Sequence, residues 1–393
     1  MTIALDFSAL KYDNECDYII MERLVRLMTF KTFGFIGLGL IGGSIAKAIK
    51  QKYSAAHIVA FDTNETMLTD ALTNGIADEI TSEIGSAFST CDIIFLCAPV
   101  SINNENLSKL KPFLKPDTLV TDVGSVKTPI HDAVVALGLE SQFIGGHPMA
   151  GSEKSGFGNA NPLILENAYY ILTPESMVAP AILEAYQEFV KELGAIPLVL
   201  NCKEHDYVTA AVSHVPHLIA AALVNLVHDH DTPECVMKMV AAGGFKDITR
   251  IASSSPAMWE SICMSNTEHI TNLMDAYIAD LQDINDALKR KQERYTYQLF
   301  EESKEYRDSF ATQSRGPIKK VYGCYVDIPD ETGALAMIAL ILANKKISIK
   351  NIGIVHNREF EEGVLQIEFY EQASLDKAID LLRMLQYTVY ERK

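Results

Sequence analysis

The sequence predicts an α/β protein in three parts: a doubly wound parallel sheet over residues 31–201, an all-helical segment over 202–312, and a small βαββαβ domain over 319–393. Three observations predict it. Apolar strand-like runs from Phe33 to Gly146 recur roughly every two dozen residues with helical stretches between them. From His205 the apolar period changes to that of a helix. After Arg315-Gly316-Pro317 the pattern returns to strands and short helices.

Size and composition agree with several domains. A chain of 393 residues, 48% hydrophobic and 22% charged, has enough apolar material for two or three cores. Its net charge of −17 excludes the basic footprint that nucleic acid or an anionic membrane requires, so an anionic substrate would need local Arg or Lys. Seven scattered cysteines form no C-x-x-C pair and no metal spacing, which suits reduced thiols in a cytoplasm. No apolar run reads as long enough to span a membrane. Residues 1–30 carry charges throughout, unlike a signal peptide, and read as an extension with a short helix around Tyr18 to Met28.

The first element of the sheet carries the strongest motif. Phe33, Phe35 and Ile36 read as a buried strand, Gly37, Gly39 and Gly42 form G-x-G-x-x-G, and Ile45-Ala46-Lys47-Ala48-Ile49 reads as a helix. This Rossmann-type strand–turn–helix suits a dinucleotide. One glycine makes the tight turn, one admits the pyrophosphate to bare backbone, one lets helix pack on strand, and the helix N-terminus faces the negative charge. The next run, His57 to Phe61, ends on Asp62, about twenty residues past the last motif glycine. An acid there hydrogen-bonds ribose hydroxyls and repels a 2′-phosphate, so NAD is expected rather than NADP.

Later strands are expected over Cys91 to Ala98, Thr118 to Asp122 and Gln142 to Gly146, all in the same parallel sheet. Ligands of such sheets sit beyond the carboxyl ends of the strands. The expected cofactor contacts are therefore Gly37, Gly39, Leu40, Ile41 and Gly42 in the loop, Asp62, and then Ala98, Pro99, Val100 and Gly124 at strand ends. His147, between two glycines and a proline, is expected in a turn beside the nicotinamide, where a neutral imidazole can remove a hydroxyl proton. Ser125 can share that hydroxyl's hydrogen bonds, or reads as a simple turn serine.

In the helical segment, Val208 through Leu226 form a long apolar helix interrupted by Ser213, His214 and His217, whose polar atoms need partners. Two histidines without a nearby carboxylate or cysteine make a metal site unexpected. Lys246 and Arg250, one helical turn apart in an acidic chain, read either as an anion clamp or as surface residues with Arg250 paired to Asp247. Trp259, the only tryptophan, reads as the wall of an aromatic pocket or as packing. Ile270, Leu273, Met274, Tyr277, Leu281, Ile284 and Leu288 repeat at helical spacing and predict a dimerisation seam.

In the last domain, strands are expected over Val321–Val326, Ile347–His356, Gly363–Tyr370 and Thr388–Glu391, with helices over Ala334–Asn344 and Leu375–Leu385. Asp330, Thr332, Gly333, Ala334 and Leu335 lie where a glycine opens a helix and leaves N–H groups for a small carboxylate.

Together these motifs resemble those of bacterial prephenate dehydrogenases that carry a C-terminal ACT domain. The resemblance spans 31–393 and rests on Gly37 to Ser44, Asp122 to Lys127, Gly145 to Gly151, Ser213 to His217 and Gly243 to Arg250. It implies oxidative decarboxylation of prephenate by NAD, with His147 and Ser125 catalytic and Arg250 on a substrate carboxylate. It further implies that His217, Ser213 and Glu153 complete or gate the pocket, that Lys246 and Trp259 reach in from a dimer partner, and that the ACT domain binds tyrosine or a related amino acid as feedback inhibitor. Arogenate is the alternative substrate. A non-catalytic amino-acid sensor with an NAD fold is the alternative class.

Overall fold

In the computed structural model, which describes residues 30–151, 154–312, 322–328, 331–355 and 363–391, strand β1 (Thr32–Ile36) lies at the centre of a parallel sheet. Its neighbours are β2 (His57–Phe61), β3 (Glu79–Thr81), β4 (Ile93–Leu96) and β5 (Leu119–Asp122), in the order β3-β2-β1-β4-β5. The central strands are buried on both faces, which is why they read as continuous apolar runs. Helices α1 (Leu40–Lys52), α2 (Glu65–Thr73), α3 (Val100–Leu110) and α4 (Thr128–Leu137) form the connections between the strands or follow them. Phe33, Phe35 and Phe95 fill one face of the sheet with Phe189 from α5 (Pro180–Glu192), while Val59, Ile94, Val120 and Phe143 fill the other.

The single parallel sheet expected from the strand–helix alternation stops at β5. Strands β6 (Ile144–Pro148), β7 (Tyr169–Pro174) and β8 (Ile196–Val199) form a second sheet, with β6 and β7 antiparallel, tied to the first by a parallel bridge from Val120 to Phe143. The reason lies in the connection. Only short 3₁₀ turns at Phe157–Asn159 and Pro162–Leu165 are seen between β6 and β7, and without a crossover helix a strand returns antiparallel. His147 likewise lies in β6 rather than in a turn. The preceding glycines serve close strand packing: a Cβ on Gly145 would sit 2.3 Å from Thr173 Oγ1, and one on Gly146 would sit 2.6 Å from the Asp122 carbonyl oxygen.

As far as Leu299 the helical segment belongs to the same compact unit as the parallel sheet. Helix α6 (Cys202–Thr209) runs through a π-helical turn (Ala210–His214) into α7 (Val215–His230). This run, 29 residues with a mean hydropathy of 1.6 in its most apolar window, is long and apolar enough to cross a membrane, which corrects the expectation that none is. Its first half, however, buries His205, Asp206 and His214 against the nucleotide-binding side and Asn266, so one face of that half is packed on protein. After α7 come α8 (Val236–Val240), α9 (Gly243–Thr249), α10 (Pro256–Ser265), α11 (Thr267–Lys289) and α12 (Glu293–Thr312). On α11, Ile270 packs against α6 and α7 with Leu273 and Met274, while Leu281 and Leu288 are exposed.

The second unit, Phe300–Lys393, has the expected βαββαβ order: β9 (Tyr322–Ile328), α13 (Ala334–Asn344), β10 (Ile349–Val355), β11 (Gly363–Phe369), α14 (Gln372–Met384) and β12 (Val389–Glu391). The strands align β10-β11-β9-β12 with antiparallel pairs, the ferredoxin-like arrangement. Cys324, Val326, Leu365, Ile367 and Phe369 meet Ile338, Leu342 and Leu382 in one core. Gly333 caps α13 at φ +94°, a backbone region that favours glycine, with Thr332 and Leu335 exposed beside it and Ala334 half-buried. The leader helix, Glu153, Arg315-Gly316-Pro317 and Asp330 lie outside the described residues.

Candidate active site

The glycine loop is built as a phosphate cradle. Gly37 has φ +103°, and a Cβ there would lie 2.8 Å from the Cys97 carbonyl carbon, so only glycine fits. A Cβ on Gly42 would lie 2.5 Å from the Gly37 oxygen, which lets α1 approach β1 closely. At Gly39, the N-cap of α1, a Cβ would meet nothing within 4 Å; Leu40 and Ile41 open the helix behind it. The space over that helix N-terminus is thus open to an anion. Asp62 sits at the end of β2 as expected, and it also closes the loop. Its Oδ2 accepts the Leu38 N–H at 2.7 Å and its Oδ1 the Asn64 N–H at 2.8 Å.

The other strand ends converge on this loop. Pro99 caps α3, Val100 is buried at its start, and the Asn103 side-chain amide donates to the Ala98 and Leu96 carbonyls, fixing the chain after β4. Gly124 donates its N–H to Asp122 Oδ2 at 2.9 Å, and a Cβ there would strike both that oxygen and Val100. Ser125 follows, half-buried, its hydroxyl unbonded among the described residues.

Beneath the loop after β5 lies a buried polar assembly. Lys127 and Asp122 form a fully buried ion pair, and Lys127 Nζ also donates to the Gly146 carbonyl at 2.7 Å. Burial pushes Lys127 below the usual lysine range, against the opposing pull of Asp122. This pair fixes β6 from below, one residue before His147. The His147 ring, half-buried, has its Nδ1 2.7 Å from His205 Nε2, and His205 Nδ1 lies 2.8 Å from Asp206 Oδ1. Asp206 also accepts the N–H groups of Lys127 at 2.7 Å and Thr128 at 2.8 Å, the start of α4. Burial, with His205, Lys127 and His214 nearby, holds His147 well below the usual histidine range. Burial raises Asp206, yet the hydrogen bonds from His205, Thr128 and Lys127 hold it below the usual carboxylate range. His147 is therefore neutral and Asp206 ionised at neutral pH.

The facing wall is aromatic. His217 stacks on Trp259 with ring centroids 3.8 Å apart, and donates Nδ1–H to the Ser213 carbonyl at 2.8 Å. His214 meets Trp259 edge-on, and its Nδ1 accepts from the Asn266 amide at 3.2 Å. His214 Nε2 and Trp259 Nε1 are buried without a partner among the described residues. Trp259 also packs with Ile262 on Val100 and Val126, the residues flanking the ends of β4 and β5, so the aromatic wall adjoins the cofactor loops. Within the chain, the Trp259 ring thus lies between His217 and the loops after β4 and β5. Burial lowers His217, and the charge of Arg250, at the turn after α9, lowers it further. Lys246 is exposed one turn before Arg250 and touches none of these rings among the described residues.

Two family models match: the prephenate dehydrogenase nucleotide-binding domain over residues 45–198 and the prephenate dehydrogenase dimerization domain over 201–302. The chain is 38% identical over 335 residues to prephenate dehydrogenase of Bacillus subtilis, covering 85% of this chain and 90% of that protein. The chain belongs to the prephenate dehydrogenase family. Among solved members and neighbours, the Aquifex aeolicus prephenate dehydrogenase, crystallised with hydroxyphenyl propionate and NAD+, matches with TM-score 0.68 and 32% identity over 72% of this chain and 99% of that one. The Synechocystis arogenate dehydrogenase matches with TM-score 0.63 and 28% identity over 71% of this chain and 99% of that one.

Sequence reasoning reached Lys127 only as one of the residues at a strand end, and did not single out Asp122, His205 or Asp206. A signal was present: His205 and Asp206 are polar residues at the start of an apolar helix, where each needs a partner, as Ser213, His214 and His217 do.

Proposed function

We propose that this chain oxidises prephenate with NAD to 4-hydroxyphenylpyruvate, carbon dioxide and NADH, as a cytoplasmic homodimer in tyrosine formation. The observation that carries this reading is His147, whose ring is held by His205 at the carboxyl end of β6, beside the cofactor-binding ends of β4 and β5. Bound NAD would supply the hydride acceptor, and the open space at Gly39 with the crowded Gly37 and Gly42 fits its pyrophosphate. The B. subtilis and A. aeolicus relatives support the substrate and cofactor.

In this reading His147 Nε2 takes the ring-hydroxyl proton as the hydride leaves the same carbon, and Ser125 gives that hydroxyl a second contact. Loss of carbon dioxide then aromatises the ring, and the proton returns from His147 to the product's phenolate oxygen. Arg250 binds a substrate carboxylate, His217, Ser213 and Glu153 complete or gate the pocket, and Lys246 and Trp259 add to it. The exposed apolar residues Leu281 and Leu288 on α11 are where a second copy would pack. The test is NADH formation with prephenate. His147→Asn should lower it by ~10²–10⁴-fold, whereas a sensor that merely holds NAD would form none in either variant.

The likeness to the Synechocystis enzyme favours arogenate as the second reading, and the ratio of kcat/KM for the two substrates decides it. The ferredoxin-like domain, read as an ACT domain over 319–393, would bind tyrosine near Thr332, Gly333, Ala334 and Leu335. Tyrosine inhibition that survives Gly333→Asp and deletion of 319–393 would place the inhibitor at the active site instead.

A further inference from the structure

We propose that His205 is a positioning residue for the base: anchored by Asp206, it fixes the His147 proton on Nδ1 and leaves Nε2 bare for the substrate hydroxyl. The inference rests on the reading of His147 as base. It follows from counting donors along the chain of hydrogen bonds. Asp206 Oδ1 receives the Lys127 N–H and His205 Nδ1, and Oδ2 receives the Thr128 N–H. An ionised carboxylate donates nothing, so His205 must carry its proton on Nδ1. A neutral imidazole has only one, so His205 Nε2 is an acceptor. At 2.7 Å from it, His147 Nδ1 must then be the donor, because two bare nitrogens would otherwise face each other. The remaining nitrogen of His147 is left with its lone pair free, the form that a base requires.

The surroundings keep this assignment. His205 and Asp206 are both wholly buried, so water does not compete for either bond. The groups facing the two rings are the Lys127–Asp122 pair beneath β6, Asp206 on α6, and His214 at the end of the π-helical turn. Asn266 holds the Asp206 carbonyl at 2.8 Å and the Thr209 hydroxyl holds the His205 carbonyl at 2.9 Å, so the backbone of α6 is fixed as well. Lys127 opposes a second proton on either ring. Asp206 in turn sits at the N-terminus of α4, whose free N–H groups favour its negative charge. In turnover the hydroxyl proton goes to His147 Nε2 and returns to the product oxygen, so none has to pass through His205.

The test compares His205→Leu with His205→Gln in the full-length protein, since the Gln side-chain oxygen can accept from His147 Nδ1 and Leu cannot. Leu should lower kcat ~100-fold, with KM for substrate and for NAD within about threefold, and Gln should recover kcat to within about tenfold of the parent. Full turnover in the Leu variant, with His147→Asn inactive, overturns the positioning role and leaves the base intact. Full turnover in His147→Asn overturns the base itself. A direct measurement independent of any variant is the ¹⁵N shift pattern of His147 in the unsubstituted protein. A protonated Nδ1 with a bare Nε2 supports the proposal, and the opposite tautomer refutes it.

Discussion

Acidification should destabilise the nucleotide-binding and helical unit through histidines that the fold keeps neutral, and His214 allows the size of the effect to be worked out. Burial is the main cause that lowers its pKa from 6.5 to about 4. Between those values the unfolded ring binds a proton that the folded ring does not, so stability is complete above the unfolded value and falls as pH drops through the window. At ~1.4 kcal/mol per pKa unit, His214 contributes about 3 kcal/mol in full, of which about 2 kcal/mol is lost between about pH 7 and about pH 5. That corresponds to a fall in Tm of about 4–8 °C for a unit of this size, before the contributions of His147 and His205, which have the same sign. The assay is built in, because Trp259 is the only tryptophan and sits against His214 and His217. Thermal melts followed by its fluorescence, in the parent and in His214→Gln, should show a shallower pH slope in the variant. Equal slopes in the two proteins, or a Tm in the parent that does not change over this range, would refute the reasoning.

Three further outcomes follow from named contacts. Gly37→Ala should strain the fold, because the added Cβ meets the Cys97 carbonyl, whereas Gly39→Ala should fold normally yet bind NADH more weakly; calorimetric titration and melts of both separate the two effects. Lys127→Met leaves Asp122 buried with only the Gly124 and Gly146 N–H groups, and should cost about 3 kcal/mol, read as a lowered Tm. Leu281→Glu on the exposed stretch of α11 should shift sedimentation from dimer to monomer, and an unchanged dimer would place the interface elsewhere.

What could be read in advance follows the range of each interaction. Gly37, Gly39, Gly42 and Asp62 lie within one βαβ unit, and local spacing already dictates their geometry. The ferredoxin-like order was legible for the same reason, since each strand and helix announces itself by its own period. The antiparallel return of β7 was not, because strand direction depends on the path of a connection that carries no periodic signal. His205 was passed over because its partner His147 lies on β6, and nothing in the periodicity of either element shows that the two meet. The stack of Trp259 on His217 was likewise hidden, because only the packing of α10 against α7 brings the two rings together.

The two backbone amides at the start of α4 end on the Asp206 carboxylate, and so does the chain that arms His147. Prying the nucleotide-binding layer from the helical layer would break both sets of bonds together. With His147 as the base, one carboxylate would then secure both the seam between the layers and the orientation of the base, so a change that loosened the first would disarm the second.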